Sequence, residues 1–378
     1  MTREVFITGI GIVSNLGEGI EAQLAAVDAG RPGSVDAERF KPHLVHPVVP
    51  LEWERQIPKK SDQRQMEAWQ RLGVYAAGLA LDDAGIKEDK ALLGNLHLIC
   101  AAGGGERDYQ VDSQVLTGLP QAADPGAFLN ERLMGDLRPT LFLAQLSNLL
   151  AGNISIVHGV TGATRTFMGE EQAGVDALRI AQARIAADQG DIFLVGGSYN
   201  AERPDVLLVY EMAGLLWKGS FASVWERQAK GGGFVPGSGA AFLVLEARDH
   251  AEARGATPIA RLAHVGADQV RRAPGAAGEA LDGLFAKAGS FDAASGLVVS
   301  GATGIADITA EEKAVLDRRT DGARRIATGD LFGNMLEPQF PAGVALAAAL
   351  VKRGDARQAA VTSVGHARGE GLALVERI

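Results

Sequence analysis

Short apolar runs that end near small or turn-forming residues predict a series of buried strands. These runs occupy residues 5–8, 96–101, 154–157, 192–197, 241–245 and 297–300. A short continuous apolar run between turn signals is typical of a strand that is covered on both faces. The chain is therefore expected to contain a largely buried sheet.

Between these runs, apolar residues recur every three or four positions and predict helices. The predicted helices span residues 20–29, 61–85, 141–152, 172–187 and 281–289. Gly30, Pro32 and Gly33 form a strong stop after the first helix, and Gly85 ends the second. Residues 34–58 carry four prolines and little periodicity, so they are predicted to be irregular surface. This alternation of helices and strands predicts a layered α/β fold.

Composition narrows the possible functions only in broad terms. The chain has 378 residues, a hydrophobic fraction of 47% and a formal net charge of −9, and this charge argues against a general nucleic-acid binder. Its apolar runs are far shorter than the roughly 20 residues of a membrane helix, and its first residues lack the layout of a signal peptide. A single cysteine, Cys100, excludes a disulfide within the chain. We expect a soluble, cytoplasmic protein that binds neither nucleic acid nor a membrane.

Four segments carry a resemblance to a known family. They read VFITGIGIVSNLG (5–17), KKSDQRQMEAWQRLGVYAAGLALDDAGI (59–86), LSNLLAGNISIVHGVTG (146–162) and GGGFVPGSGAAFLVLE (231–246). In their order and spacing they resemble the β-ketoacyl-acyl carrier protein (ACP) synthases, which are the condensing enzymes of fatty-acid and polyketide synthesis.

The resemblance implies a particular α/β architecture, the thiolase fold. Two pseudo-repeated halves, expected at residues 1–246 and 247–378, would each contain a five-stranded sheet in an α-β-α-β-α stack. A faint internal repeat agrees with this, because the helix, strand and glycine turn of 79–105 recur at 281–304. The resemblance also implies a dimer that acts on acyl groups carried by ACP. We expect no cofactor and no metal.

The resemblance also implies that the catalytic side chains of the active family are missing here. Active members use a cysteine thiolate at a helix N-terminus, two histidines that promote decarboxylation, and a supporting lysine. Without gaps, the cysteine position falls on Glu171. The local patterns of the family place the two histidine positions on Gly301 and Asn334 and the lysine position near Gly329. A one-residue gap would put Gln172 at the cysteine position instead.

The residues at and around these positions are expected to form a relic pocket. We use this name for Glu170, Glu171, Gln172, Asn334, His366 and Arg368. A buried carboxylate without a partner is strongly disfavoured, so Glu171 is predicted to pair with Arg368, with Asn334 or His366 as further partners. His366 is otherwise expected to fill the space of the family's gating phenylalanine. Glutamates in the first turn of a helix also suit the helix dipole without any chemical role.

Three functional hypotheses remain open. The first, which the missing catalytic residues favour, is a silent partner subunit similar to a chain-length factor. It would pair with an active β-ketoacyl-ACP synthase, and Leu141, Phe142 and Gln145 would border the partner's acyl tunnel. The second is an enzyme with changed chemistry, such as malonyl-ACP decarboxylation or acyl transfer. The third is a homodimeric module that binds acyl groups or ACP. A dimer through residues 141–162 is expected, because these apolar segments would be costly to expose together.

Overall fold

The structure is a computed structural model that describes residues 3–30 and 32–378. Within these residues the strands are β1 (Val5–Ser14), β2 (Gly17–Glu18), β3 (His97–Ala101), β4 (Thr164–Phe167), β5 (Ile192–Tyr199), β6 (Gly239–Ala247), β7 (Ala260–Asp268), β8 (Gly296–Ser300), β9 (Arg324–Ala327), β10 (Gln358–Val364) and β11 (Glu370–Glu376). The helices are α1 (Ile20–Ala29), α2 (Lys60–Gln65), α3 (Ala68–Asp83), α4 (Lys90–Asn95), α5 (Tyr109–Gly118), α6 (Pro125–Gly135), α7 (Thr140–Ala144), α8 (Leu149–His158), α9 (Glu171–Ala186), α10 (Pro204–Met212), α11 (Val224–Ala229), α12 (Arg248–Ala253), α13 (Ala276–Ala288), α14 (Ala306–Arg319), α15 (Thr328–Leu331) and α16 (Gln339–Arg353).

The order of the strands repeats itself across the molecule. Their hydrogen-bonded order is β4-β3-β5-β6-β1-β7-β11-β10-β8-β9, and β2 pairs with β1. In the first five strands, β3 is parallel to β4 and β5, while β6 is antiparallel to β5 and β1. In the second five, β8 is parallel to β9 and β10, while β11 is antiparallel to β10 and β7. The two sets meet where β1 pairs with β7. This duplication is the one that the resemblance implies; the division at residues 246 and 247 stays a prediction.

Two buried helices lie between the two sets of strands. α9 and α16 pack against each other, and both also contact strands of the two sets. Leu178 of α9 and Leu346 of α16 share one core with Val195 of β5 and Val361 of β10. Full burial of such side chains contributes about 1.5–3 kcal/mol each. This core positions the first residue of α9 and the turn before α16 next to each other.

Outer helices cover the other face of each set and complete the α-β-α-β-α stack. α3 and α8 form a second core with the first set, in which Tyr75 packs with Leu194 and Phe242. α13 and α14 form a third core with the second set, around Leu284 and Leu316. No helix within the part of the chain that the structure describes is long and apolar enough to cross a membrane.

A close approach of α3 to β1 depends on glycine. A Cβ at Gly11 would lie 2.0 Å from the carbonyl oxygen of Ala76 and 2.5 Å from the backbone nitrogen of Ala80. No side chain fits at that distance, so the helix can rest on the strand only because Gly11 has none.

Three sequence-based predictions of elements are wrong. The helix predicted at 61–85 is interrupted at Met66, whose backbone is extended, and Glu67 and Gln70 form a capping box that starts α3. The helix predicted at 141–152 is likewise split into α7 and α8. The strand predicted at 154–157 is part of α8, because Ile154 and His158 are buried one turn apart while Ile156 between them is exposed.

Candidate functional site

The segment that the resemblance matches to the nucleophile turn is a sharp bend between β4 and α9. Glu170, at the bend, has φ 57° and ψ −138°, a conformation that costs a residue with a side chain about 1–3 kcal/mol. The bend makes Glu171 the first residue of α9. The Glu171 side chain is only 2% exposed, and its charge lies at the positive end of the helix dipole.

Asn334 and His366 hold the carboxylate of Glu171. Asn334 donates from Nδ2 to Oε1 at 2.8 Å, and Nδ1 of His366 lies 3.1 Å from Oε1 and 3.0 Å from Oε2. On the other side of the imidazole, Nε2 lies 3.2 Å from Oε1 of Glu170. Ionised carboxylates only accept hydrogen bonds, so both ring nitrogens donate and His366 is an imidazolium shared by two glutamates. We call these four residues the Glu–His network.

Burial and charge oppose each other in this network. Burial by itself would raise the pKa of Glu171, but the charge of His366 and the hydrogen bonds from His366 and Asn334 outweigh it and lower the pKa. Burial would also lower the pKa of His366, yet the attraction of Glu171 and the hydrogen bonds to both glutamates raise it to about 10. Both groups are therefore charged at neutral pH. A carboxylate held in this way is a weak base and a poorly available nucleophile.

Glu170, Glu171 and His366 are residue types that bind metal ions, but both ring nitrogens of His366 carry protons in this network. Ligand atoms of Glu170, Glu171 and His366 all lie within 4.8 Å of one another. A histidine binds a metal through the lone pair of an unprotonated nitrogen. Both nitrogens of His366 are already donors to carboxylates. These side chains form an internal ion-pair network, and a metal ion could bind only by displacing a proton from a ring nitrogen of His366.

The main chain leaves no space for a side chain at the two glycines that the resemblance matches to a histidine and to the lysine. A Cβ at Gly301 would lie 2.7 Å from the carbonyl oxygen of Thr362. A Cβ at Gly329 would lie 2.8 Å from the carbonyl oxygen of Ala302. Because these contacts are with backbone atoms, a side chain at either position would require the main chain to move.

The predicted pairing of Glu171 with Arg368 is wrong. Among the ion pairs of the described residues none joins them, and Arg368 is exposed. The turn after β10 directs His366 inward, whereas the Arg368 guanidinium lies 3.7 Å from the position of a Cβ at Gly169. The imidazole of His366 thus occupies the place that the guanidinium was predicted to take.

Gln172, the alternative candidate for the cysteine position, lies outside the network. Its Nε2 donates to Oδ2 of Asp176 at 3.2 Å, and its side chain packs on Gly369, where an added Cβ would lie 2.1 Å from Oε1. The side chain therefore faces the following turn of α9 and the strand β11 region rather than Glu171.

A third buried carboxylate, which the sequence analysis missed, lies beside the network. Glu337 is 3% exposed and stands in the turn before α16, between Leu336 and Pro338. Burial, together with repulsion by Glu171 and Glu170, raises the pKa of Glu337 to about 8. It therefore carries a proton at neutral pH. The available signal was a glutamate within an otherwise buried, apolar segment.

The three residues predicted to border an acyl tunnel do not share one surface. Leu141 and Gln145 line a largely apolar cavity of about 390 Å³ between α5, α6 and α7. Phe142 does not line it and is 69% exposed. A role for any of the three in binding an acyl chain stays a prediction.

Comparison with curated proteins gives relatives of two kinds. The 3-oxoacyl-[acyl-carrier-protein] synthase 2 of Vibrio cholerae serotype O1 is 26% identical over 275 residues, which cover 70% of this chain and 63% of the relative. The tetracenomycin polyketide synthase ketoacyl synthase beta subunit of Streptomyces glaucescens is 29% identical over 263 residues, which cover 68% of this chain and 61% of the relative. The chain thus spans less than two thirds of the length of these relatives.

Comparison with solved structures and with models of protein families gives the same kind of protein as these relatives. A β-ketoacyl synthase from Burkholderia phymatum STM815 superposes with a TM-score of 0.82 at 20% identity, and the ishigamide ketosynthase/chain length factor with 0.81 at 22%, each over 100% of both chains. These likenesses confirm the predicted fold. The family described as "Beta-ketoacyl synthase, N-terminal domain" matches residues 2–251. With its duplicated sheet and this match over more than half of its length, the chain belongs to the β-ketoacyl synthase family.

Proposed function

We propose that this chain is a catalytically silent partner subunit of a condensing enzyme. It pairs with an intact β-ketoacyl-ACP synthase, receives acyl groups carried by ACP at the joint interface, and helps set the length of the acyl or polyketide chain. The pathway class is fatty-acid, very-long-chain acyl, polyketide or aryl polyene synthesis.

The observation that carries the proposal is the Glu–His network. The side chain at the start of α9 is a carboxylate, buried and held by His366 and Asn334, where the resemblance expects a thiolate. An acyl thioester needs a thiol, and decarboxylation needs donors aimed at the enolate. Gly301 and Gly329 offer no such donors, and their surroundings have no space for larger side chains. These features support a structural and steric role rather than condensation chemistry.

The surface around β4 supports pairing with a second ketosynthase-like subunit. In the described part of the chain, β4 is the last strand of its set, so one of its edges carries unpaired backbone groups that a strand of another chain can use. Among the described residues, all exposed large apolar side chains except Ile378 lie between residues 109 and 212. Ile156 on α8 and Met168 just after β4 are 75% and 67% exposed. An apolar surface of this kind typically marks an interface.

The comparisons support the same assignment by analogy. One relative is named as the beta subunit of a polyketide ketoacyl synthase, and one matching structure is a ketosynthase/chain length factor. Another matching structure is described as a type II polyketide ACP in complex with its ketosynthase. We transfer from them the expectation of two partners, an active synthase subunit and ACP.

Co-expression with candidate intact synthases tests the proposal. We expect a stable heterodimer by native mass spectrometry and an acyl-elongation activity that requires both chains. Incubated alone with acyl-ACP, this chain should form no covalent acyl adduct on residues 166–174. Elongation, decarboxylation or an acyl adduct by the chain alone would contradict the proposal and favour changed chemistry; a stable homodimer that ignores every synthase would favour a binding module.

A pair of matched variants localises the interface. Ile156→Asp puts a charge into the proposed interface and should abolish the heterodimer, because a buried unpaired carboxylate is strongly disfavoured. Ile378→Asp makes the same change at an apolar residue that is 61% exposed at the far end of the chain, and it should leave pairing intact. Equal effects of the two variants would argue against an interface at β4 and α8.

A further inference from the structure

A cavity of about 230 Å³ lies beside the Glu–His network. Its wall includes three aromatic side chains and two carboxylates: Trp69 of α3, Tyr199 of β5, Tyr210 of α10, Glu170 and Glu337. The three aromatic residues are 2%, 9% and 9% exposed, so their rings are held in place by the surrounding core. The cavity has room for a ligand of several heavy atoms.

Buried polar atoms on this wall lack partners. Within residues 3–30 and 32–378, no hydrogen bond reaches Oε2 of Glu337, Oη of Tyr199 or Oγ of Ser198, and Nε1 of Trp69 donates none. Leaving a buried polar group unpaired costs about 1–3 kcal/mol. Four such atoms around one cavity, three oxygens and one indole nitrogen, point to a ligand that forms several hydrogen bonds.

The charged side chains on the wall of the cavity indicate whether the ligand is a cation or an anion. Arg203 is the basic residue of the wall, and Asp205 already binds it through Nε at 3.2 Å and through a terminal guanidinium nitrogen at 2.7 Å. Glu170 shares the positive charge of His366 with Glu171, so two carboxylates share one cation. Burial, and in addition repulsion from this pair, already disfavour a charge on Glu337. An added anion would meet the same repulsion, whereas a cation would relieve it.

We propose that this cavity, which we call the amine cavity, binds a small organic amine as its ammonium ion. The ammonium group donates hydrogen bonds to Glu337, Tyr199 and Ser198, each of which has an oxygen able to accept. The alkyl part and the adjacent positive charge lie against the rings of Trp69 and Tyr210, where cation–π attraction adds to the burial of apolar surface. The site goes beyond the proposed pairing with a synthase and does not depend on it.

Three small probes of similar size and different charge test the proposal on the intact chain. Ethylammonium, ethanol and acetate are titrated at millimolar concentration against the protein with ¹⁵N-labelled indoles. The signal of Trp69 is identified by its loss in Trp69→Phe. We expect ethylammonium to shift this signal saturably, and ethanol and acetate to leave it unchanged. Acetate binding as well as ethylammonium, or no saturable shift with ethylammonium, would overturn the proposal.

Substitutions separate the amine cavity from general surface binding. Glu337→Gln should weaken ethylammonium binding at least tenfold, and Tyr199→Phe, which removes only the hydroxyl, should weaken it severalfold. Glu312→Gln is the matched control, because Glu312 is a buried glutamate that bonds Ser300 and Thr362 instead of lining the cavity. Its affinity should equal that of the unmodified chain. Unchanged affinity in both Glu337→Gln and Tyr199→Phe would overturn the proposal even if ethylammonium binds.

The pH dependence of binding provides an independent signature. The titratable or charged groups around Glu337 are Glu170 and Glu171 at the start of α9, His366 after β10, Tyr199 of β5, Tyr210 of α10 and Arg203 just before α10. The ammonium ion needs ionised Glu337, so its affinity should fall about tenfold from pH 7 to pH 6 as a proton competes at this carboxyl. Glu337→Gln should flatten this dependence. A flat profile in the unmodified chain would contradict a contact with Glu337.

Discussion

Replacing His366 by glutamine removes the cation that holds Glu171 and Glu170 together. Glu171 would stay buried at 2% exposure, with Asn334 as its remaining side-chain donor. Removing one partner of a buried ion pair costs about 3–5 kcal/mol, because the other charge is left uncompensated. The pKa of His366 gives a similar value: its rise from 6.5 to about 10 corresponds to about 5 kcal/mol at roughly 1.4 kcal/mol for each unit of pKa.

The loss should depend on pH in a defined direction. Because the pKa of His366 is raised on folding, its contribution to the free energy of unfolding is complete below pH 6.5 and is lost as the pH rises through about 10. Because the pKa of Glu171 is lowered, its contribution is present above its usual value and is lost as the pH falls through the lowered pKa. The destabilisation by His366→Gln should therefore be largest near pH 6 and fall to about 1–2 kcal/mol at pH 9.

Urea denaturation, followed by circular dichroism at pH 6 and pH 9, measures the destabilisation by His366→Gln and its change with pH. Arg368→Gln is the control, because Arg368 is exposed and lies in the same turn, and its effect should stay within about 0.5 kcal/mol. The double variant Glu171→Gln/His366→Gln should be less unstable than the sum of its single variants by about 0.5–3 kcal/mol. An equal cost of His366→Gln at both pH values, or a larger cost for Arg368→Gln, would refute the role given to the imidazolium.

Other substitutions examine separate features. Because folding raises the pKa of Glu337 to about 8, its contribution to the free energy of unfolding declines as the pH rises from 5 to 8. Glu337→Gln removes this decline, so its stability relative to the unmodified chain should rise by up to about 1.4 kcal/mol per pH unit over that range. Parallel plots of unfolding free energy against pH for the two proteins would refute this. Gly11→Ala should cost at least about 1–3 kcal/mol by pushing α3 off β1, whereas Gly283→Ala, in an open position of α13, should stabilise slightly, as thermal melts would show. In an active heterodimer, Phe142→Ala should lengthen the product measured by mass spectrometry, and an unchanged product would remove Phe142 from the tunnel.

Local sequence determined the elements and the type of fold. The helix predicted at 20–29 coincides with α1, because Gly30 supplies the left-handed residue that ends it. Most buried strands were predicted correctly, because the side chains of a continuous apolar run between turn signals are stable only in the interior, away from water. The repeated helix, strand and glycine turn gave a weak sign of the duplication that the strand order displays in full. Errors arose where a short apolar run fits a strand and a buried helix equally well, as at 154–157.

Tertiary structure alone decided the partners within the relic pocket. Glu171 and His366 are separated by 195 residues, and sequence could name both without giving the direction of either side chain. Backbone geometry at the bend and in the turn after β10 aims His366, rather than Arg368, at the carboxylates. Glu337 went unnoticed for the same reason: its raised pKa and its place on a cavity wall come from the packing of distant segments. Local patterns specify which groups are buried, but only the folded chain specifies which of them meet.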